Sequence, residues 1–148
     1  MLIIFDLDCT IMAYYDGFVN YFKNQGLEPN YYNYELTRET YSFETMYNKS
    51  REEIIEMIEE FNVSRQFANL TDFLSDSQYG RIIDISVNHD IRYITACGDN
   101  YSTRELRYKN IRNSGLLFND NVTFLPLGSN KNEAIIELMR EYSYKSTY

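Results

Sequence analysis

Three short runs of the chain are largely apolar and lie far apart in the sequence. They cover residues 2–5, 91–96 and 122–127. A short run of this kind is typical of a strand that is covered on both faces, as in a parallel sheet. The second and third runs each follow a segment whose apolar residues have helical spacing. Because strands and helices alternate in this way, the pattern predicts an α/β fold with a parallel sheet.

Helix signals fill the segments between the later runs. Residues 77–88 carry apolar side chains close to helical spacing. Residues 102–105, Ser-Thr-Arg-Glu, form a capping box that opens a helix, and Gly115 is its predicted end. Residues 130–133 repeat the start signal. The helix that follows has an apolar stripe, which consists of Ala134, Ile135, Leu138 and Met139.

The segment between Met12 and Leu74 interrupts the alternation, because it shows helical patterns and no convincing strand. Residues 16–24 predict one helix, and a capping box at residues 50–53 opens another. The segment is also crowded with tyrosines: Tyr14, Tyr15, Tyr31, Tyr32 and Tyr34. Tyrosine rings are half apolar and half polar, so they can pack an insert and also offer hydroxyls to a ligand. We therefore expect a helical insert that covers a site.

The composition and net charge of the chain exclude several classes of protein. A chain of 148 residues with 44% apolar residues fits one compact domain rather than a disordered chain. Its 22 acidic and 14 basic residues give a net charge of -8, which argues against coating nucleic acid. No apolar run approaches the roughly 20 residues of a membrane span, and two cysteines form no disulfide framework. We expect a cytoplasmic protein without nucleic-acid or membrane partners.

Two carboxylates follow the first strand run directly, at Asp6 and Asp8. On an extended chain, residues two apart point the same way, and the carboxyl ends of parallel strands are where ligands bind. Two clustered carboxylates repel each other, and a cation beside them would offset this repulsion. Hard oxygen ligands of this kind favour Mg²⁺. The pattern Asp-x-Asp alone is also found where a strand simply ends in two solvated acids, and in nucleotide-sugar transferases that use it to hold a metal. It predicts a magnesium site without fixing the reaction.

The residues around these acids resemble the first motif of the haloacid dehalogenase-like (HAD) hydrolase superfamily. Residues 5–11 read Phe-Asp-Leu-Asp-Cys-Thr-Ile, which is similar to hhDxDxT on a first strand. Residues 93–95, Tyr-Ile-Thr, resemble the second motif, and Lys131 at a helix start resembles the third-motif lysine. The resemblance implies a Rossmann-like core with a parallel sheet.

The same resemblance implies the domain organisation. The core would consist of residues 1–12 and 75–148, and residues 13–74 would form a helical cap of the C1 type, inserted after the first strand. Such caps close over small substrates and exclude water. The resemblance therefore implies a small phosphorylated substrate rather than a phosphoprotein.

The resemblance also implies a role for each motif residue. Asp6 would attack phosphorus and become an aspartyl-phosphate, and Asp8 would protonate the leaving group and then deprotonate the attacking water. Thr95 would hydrogen-bond a phosphoryl oxygen, and Lys131 would add positive charge. The Asp6 carboxylate and the Asp8 backbone carbonyl would hold Mg²⁺. Since dehalogenases do not use a second aspartate as acid and base, Asp8 favours a phosphatase, similar to small 5′-nucleotidases and deoxyribonucleotidases.

The sequence departs from the family at the fourth motif, because no acid after the lysine helix can be assigned to it. The strand that carries this acid would pair with the first strand, whose edge is otherwise exposed. Three explanations stay open. In the first, the gene product is longer than this sequence. In the second, the tail or a partner, including a second copy of the chain, covers the edge of the first strand. In the third, the protein is a relative of the family that binds without catalysis. The sequence thus supports a Mg²⁺-dependent phosphohydrolase of small phosphomonoesters, with an inactive HAD-like binding module as the alternative.

Overall fold

A three-stranded parallel sheet organises the chain. The computed structural model describes residues 1–30, 42–70, 74–114 and 121–145. The strands are β1 (Leu2–Asp6), β2 (Asp90–Thr95) and β3 (Val122–Phe124), in the order β1-β2-β3. All pairs are parallel, with Asp6 opposite Ile94 and Thr95 opposite Phe124. The α/β class and the three predicted strands are therefore confirmed.

Seven helices lie in the described part of the chain. Between β1 and the later sheet come α1 (Tyr14–Lys23), α2 (Phe43–Tyr47), α3 (Arg51–Asn62) and α4 (Arg65–Ala68). The helix α5 (Asp76–Ser86) leads into β2, α6 (Tyr101–Asn113) connects β2 to β3, and α7 (Asn132–Lys145) follows β3. The order of elements matches the predicted helical insert after the first strand.

The helix starts agree with the sequence signals in one case and differ in another. At α3 the capping box is complete, since Ser50 Oγ accepts from the Glu53 N–H at 3.2 Å and Glu53 accepts from the Ser50 N–H at 2.9 Å. At α6 the predicted cap at Ser102 is wrong, because Asn100 Oδ1 accepts from the Thr103 N–H at 3.0 Å. Asparagine caps a helix as well as serine does. Here Asn100 is the cap, and the helix begins two residues earlier than predicted. The predicted end of α6 at Gly115 lies outside the described residues.

Aromatic side chains of the insert form much of the core. Phe18, Phe61 and Phe67 are completely buried, and the ring of Phe61 lies 5.5 Å from Phe18 and 5.7 Å from Phe67. Tyr14 and Tyr15 are also buried, whereas the predicted tyrosines 31, 32 and 34 lie outside the described residues. One apolar cluster joins these rings to the sheet. The division into a core (1–12 and 75–148) and a cap (13–74) stays a prediction.

The strand β1 lies at an edge of the described sheet, with α7 as its neighbour. All five residues of β1 are half-buried, and α7 has no buried residue. Of its predicted apolar stripe, Ala134, Ile135 and Leu138 are half-buried and Met139 is 55% exposed. Self-association through this edge stays a prediction. Among the described residues, no helix is both long and apolar enough to cross a membrane.

Candidate active site

The end of β1 continues into a tight loop that carries the second acid. The Leu7 carbonyl accepts hydrogen bonds from the N–H groups of Ile11 and Met12, both at 2.9 Å. Cys9 adopts a left-handed conformation with φ of 56°, which turns the chain back immediately after Asp8. The loop therefore keeps Asp8 at the carboxyl end of the sheet, close to where β2 ends.

Asp6 is held through only one of its carboxylate oxygens. Oδ1 accepts from Lys131 Nζ at 2.6 Å and from the Leu7 N–H at 2.8 Å. Oδ2 accepts no hydrogen bond from the described residues. The Asp6 side chain is 40% exposed and that of Lys131 is 28% exposed. One oxygen of Asp6 is thus fixed in place while the other is available to a ligand.

Asp8 is held through both of its carboxylate oxygens. Oδ2 accepts from Thr95 Oγ1 at 2.9 Å, and Oδ1 accepts from Nη2 of Arg107, a completely buried residue of α6. Burial lowers the pKa of Arg107, but attraction to Asp8 is the largest of the causes that outweigh it, so the pKa is raised. The hydroxyl of Thr95, implied as a donor to a phosphoryl oxygen, is directed at Asp8 here.

A cavity of about 250 Å³ opens beside Asp8 and Lys131, and the insert forms part of its wall. Asp8 and Lys131 line it from the sheet side, and Tyr14 and Asn62 line it from the insert. The Tyr14 hydroxyl donates to Asn62 Oδ1 at 2.8 Å, and Asn62 Nδ2 donates to the Cys97 carbonyl at 2.7 Å. This buried chain of hydrogen bonds connects the insert to the end of β2, so the wall of the cavity is firmly positioned.

A second, larger cavity of about 610 Å³ lies next to the first and is acidic. The two cavities share Asn62, Cys97 and Leu127. Four acids line the larger one: Glu56, Glu59, Glu60 and Asp99. Asp8 and Lys131, which line the smaller cavity, are each paired with an opposite charge, Asp8 with Arg107 and Lys131 with Asp6. Neither cavity therefore offers a phosphate group net positive charge from these side chains.

The donors available to a metal ion are few. Among the described residues, no group of three Asp, Glu, His or Cys side chains could hold a metal ion. Each oxygen of the Asp8 carboxylate already accepts one hydrogen bond, from Thr95 and from Arg107. The free Oδ2 of Asp6 and the backbone carbonyl of Asp8 remain, a set that suits Mg²⁺, which retains several waters and is often bound through one or two carboxylates and substrate phosphate. These two oxygens are the groups that could hold Mg²⁺, with water completing its coordination.

Burial keeps three other titratable groups near the site in their neutral forms. Burial is the main cause that raises the pKa of Cys9 to about 11, and the nearby charges of Asp8 and Asp6 add to it. Burial likewise raises the pKa of Cys97 and, far more, that of the Tyr14 hydroxyl. Both cysteines are free thiols. None of these three groups is therefore prepared to act as a base or nucleophile near neutral pH.

Arg107 is the site residue that the sequence analysis missed. It lies on the buried face of α6, and the buried residues of that helix are Thr103, Arg107, Asn110 and Ile111. Three of these four are polar and they follow helical spacing. No apolar stripe marks this face in the sequence, and only the structure shows that it is buried, so local spacing gave no signal for Arg107.

The four predicted site residues meet at the carboxyl end of the sheet in two hydrogen-bonded pairs. Thr95 reaches Asp8 across 87 residues of sequence, and Lys131 reaches Asp6 across 125. Comparisons with protein-family models, curated proteins and solved structures find no match to this chain. The catalytic roles of the four residues stay a prediction that depends on their geometry and chemistry.

Proposed function

We propose that this protein is a Mg²⁺-dependent phosphohydrolase that acts on a small phosphomonoester through an aspartyl-phosphate. The observation that carries the proposal is the state of Asp6. Lys131, which lines the smaller cavity, donates to Oδ1 of Asp6 at 2.6 Å, and Oδ2 accepts no hydrogen bond from the described residues. A carboxylate held in this way suits a nucleophile, because its orientation is fixed while one oxygen keeps its lone pairs. The proposal includes a HAD-like core with a C1-type cap.

Asp6 and Asp8 divide the chemistry between them. Oδ2 of Asp6 forms a bond to phosphorus as the ester P–O bond breaks, and the leaving oxygen takes a proton from Asp8. In the second step, water gives its proton to Asp8 and attacks phosphorus, the bond to Asp6 breaks, and inorganic phosphate leaves. Asp8 is well placed for both transfers because it lines the cavity with a side chain that is 23% exposed.

Charge explains why a metal belongs to this proposal. The positive charges of Lys131 and Arg107 are already matched by Asp6 and Asp8. A phosphate dianion therefore needs additional positive charge to enter a chain of net charge -8. When bound, Mg²⁺ would supply this charge and polarise the phosphoryl group. The Asp6 carboxylate and the Asp8 carbonyl would hold it.

The cavities support a small substrate. The 250 Å³ cavity has room for a phosphoryl group and waters, and the adjoining 610 Å³ cavity has room for the organic part of the molecule. A nucleoside monophosphate is one candidate. Because Tyr14 and Asn62 of the insert wall the first cavity, the insert would limit access of bulk water during the reaction.

The test is phosphate release from p-nitrophenyl phosphate and from nucleoside monophosphates, with Mg²⁺ and with EDTA. We expect turnover that EDTA abolishes and that Asp6→Asn abolishes without unfolding the protein. Asp84→Asn is the matched control, since Asp84 is an exposed residue of α5. Hydroxylamine trapping and mass spectrometry should locate the acyl-phosphate at Asp6. Undiminished turnover in Asp6→Asn, or no turnover of any of these esters by the unsubstituted protein, would show that the proposal is wrong.

One observation favours the second candidate, a HAD-like module that binds without catalysis. Both oxygens of Asp8 already have partners, and the described residues contain no three-ligand metal site. Such a module would bind a ligand or protein through its tyrosine-rich insert. Calorimetric titration with phosphate and with a nucleoside monophosphate separates the two functions, because the module would bind one of them without converting the ester.

A further inference from the structure

The side chain of Arg107 occupies one fixed position. It is completely buried, and its guanidinium lies 4.3 Å from the centre of the Phe67 ring. Nη1 donates to Asn110 Oδ1 at 3.1 Å, while Nη2 donates to Asp8 Oδ1. A planar cation that stacks on a ring and donates in two directions has little freedom left. The location of Arg107 therefore determines where its partner, Asp8, can lie.

Two elements together fix the carboxylate of Asp8. Arg107 of α6 holds Oδ1, and Thr95 at the end of β2 holds Oδ2 at 2.9 Å. Asp8 itself lies in a loop after β1, where the backbone alone would leave its side chain several rotamers. With one donor on each oxygen, rotation of the carboxylate is restricted.

The insert supports this arrangement from behind. Phe67, which stacks on Arg107, belongs to α4, and Asn110 Nδ2 donates to the Leu70 carbonyl at 3.1 Å. Among the described residues, the donors to Asp6 are Lys131 and the Leu7 N–H, and neither belongs to the insert. Of the two acids, Asp8 is thus the one whose position depends on the insert.

We infer that Arg107 is the positioning residue for Asp8 and that it couples the placement of the insert to the acid–base group of the reaction. This inference rests on the proposed phosphohydrolase activity. Lysine could not replace Arg107 fully, because an ammonium group lacks the planar fork that serves Asp8 and Asn110 while stacking on Phe67. Arg107 does not touch the reacting atoms in this role.

The consequence is a rate loss that depends on the leaving group. p-Nitrophenolate departs without a proton, whereas phenolate is a poorer leaving group and depends more on an acid. The two phosphate esters are similar in shape, so a difference between their rate losses reports proton delivery rather than binding. The ratio kcat/KM is the quantity to measure, because it reports the transfer to Asp6 and excludes the later hydrolysis of the aspartyl-phosphate.

The test compares Arg107→Lys with Arg104→Lys. Arg104 is an exposed residue of the same helix, and its guanidinium also lies over a ring, 5.2 Å from the centre of Phe124. For Arg107→Lys we expect kcat/KM to fall roughly tenfold more for phenyl phosphate than for p-nitrophenyl phosphate. The inhibition constant of inorganic phosphate should stay unchanged, since the contact between Lys131 and Asp6 is intact. Arg104→Lys should leave both esters unaffected.

Phe67→Leu keeps the test decisive if Arg107→Lys does not fold. Leucine retains apolar volume but removes the ring face under the guanidinium, so we expect a smaller loss with the same preference between the esters. Equal losses for the two esters, or no loss, in the folded variant would overturn the inference and leave the proposed function standing. An unsubstituted protein that hydrolyses neither ester would overturn the proposed function, and the inference with it.

Discussion

Removing the charge of Asp8 should destabilise the fold much more than removing the charge of Asp6, although the two acids are only two residues apart. In Asp8→Asn the guanidinium of Arg107 keeps an oxygen acceptor but loses its counter-charge, and it is completely buried. In Asp6→Asn the group left behind is Lys131, whose side chain is 28% exposed and can be hydrated.

The magnitudes follow from these exposures. Breaking a buried ion pair from one side costs about 3–5 kcal/mol. Asp8 is 23% exposed, so water relieves part of this loss, and we expect Asp8→Asn to lower the free energy of unfolding by about 2–4 kcal/mol. In the pair between Lys131 and Asp6 both side chains are partly exposed, at 28% and 40%, so Asp6→Asn should cost about 1 kcal/mol.

Equilibrium unfolding in urea, followed by circular dichroism and tyrosine fluorescence, measures both losses near neutral pH. The chain contains 15 tyrosines and no tryptophan, so tyrosine is the natural probe. The double variant Asp8→Asn with Arg107→Met should be more stable than Asp8→Asn alone, because the uncompensated charge is gone. Equal losses for Asp6→Asn and Asp8→Asn, or a double variant that loses the full sum, would refute this account of the pair.

Two further predictions concern glycines and a thiol. Gly17→Ala should destabilise the protein by about 1–3 kcal/mol, because its new Cβ would overlap Leu70 Cδ2. Gly80→Ala in α5 meets nothing within 4 Å and should stabilise the protein by about 1 kcal/mol. Thermal unfolding that ranks the two variants the other way would contradict this packing. Burial raises the pKa of Cys9 to about 11 from 9.0, so at pH 8 its alkylation by iodoacetamide should be about 100-fold slower than in urea and should accelerate as the pH approaches 11. The raised pKa also stabilises the fold below pH 9, and this contribution is lost as the pH rises through 11.

The strands were predictable because each is a short, largely apolar run that is separated from the others by helical patterns. The apolar runs at residues 2–5, 91–96 and 122–127 correspond to β1, β2 and β3. The last strand ends early, at Phe124, although the Leu125 N–H still donates to the Thr95 carbonyl at 2.9 Å. Pro126, which lacks an N–H group, cannot continue such a ladder. The apolar run at residues 122–127 therefore predicted the presence of the strand but overestimated its length.

The family resemblance implied that Lys131 and Asp6 belong to one site, whereas it gave no role to Arg107. An arginine in a helix is usually solvated, and α6 has no strong apolar stripe to indicate its buried face. Only the tertiary fold, in which Phe67 and Leu70 of the insert lie against α6, removes Arg107 from water. Contacts between distant segments are not encoded in local spacing, which is why this half of the site required the structure.

The two bonds to Asp8 differ in strength, and the difference identifies the oxygen that would carry the proton under the proposed function. The bond from Arg107 joins two charged groups, and such bonds are roughly twice as strong as neutral ones. The bond from Thr95 involves a neutral hydroxyl, which can rotate and accept instead of donate. When Asp8 is protonated, Oδ2 can therefore take the proton while Oδ1 stays on Arg107. The acid then changes its protonation state without changing its position, as proton delivery to one leaving group and removal from one water both require.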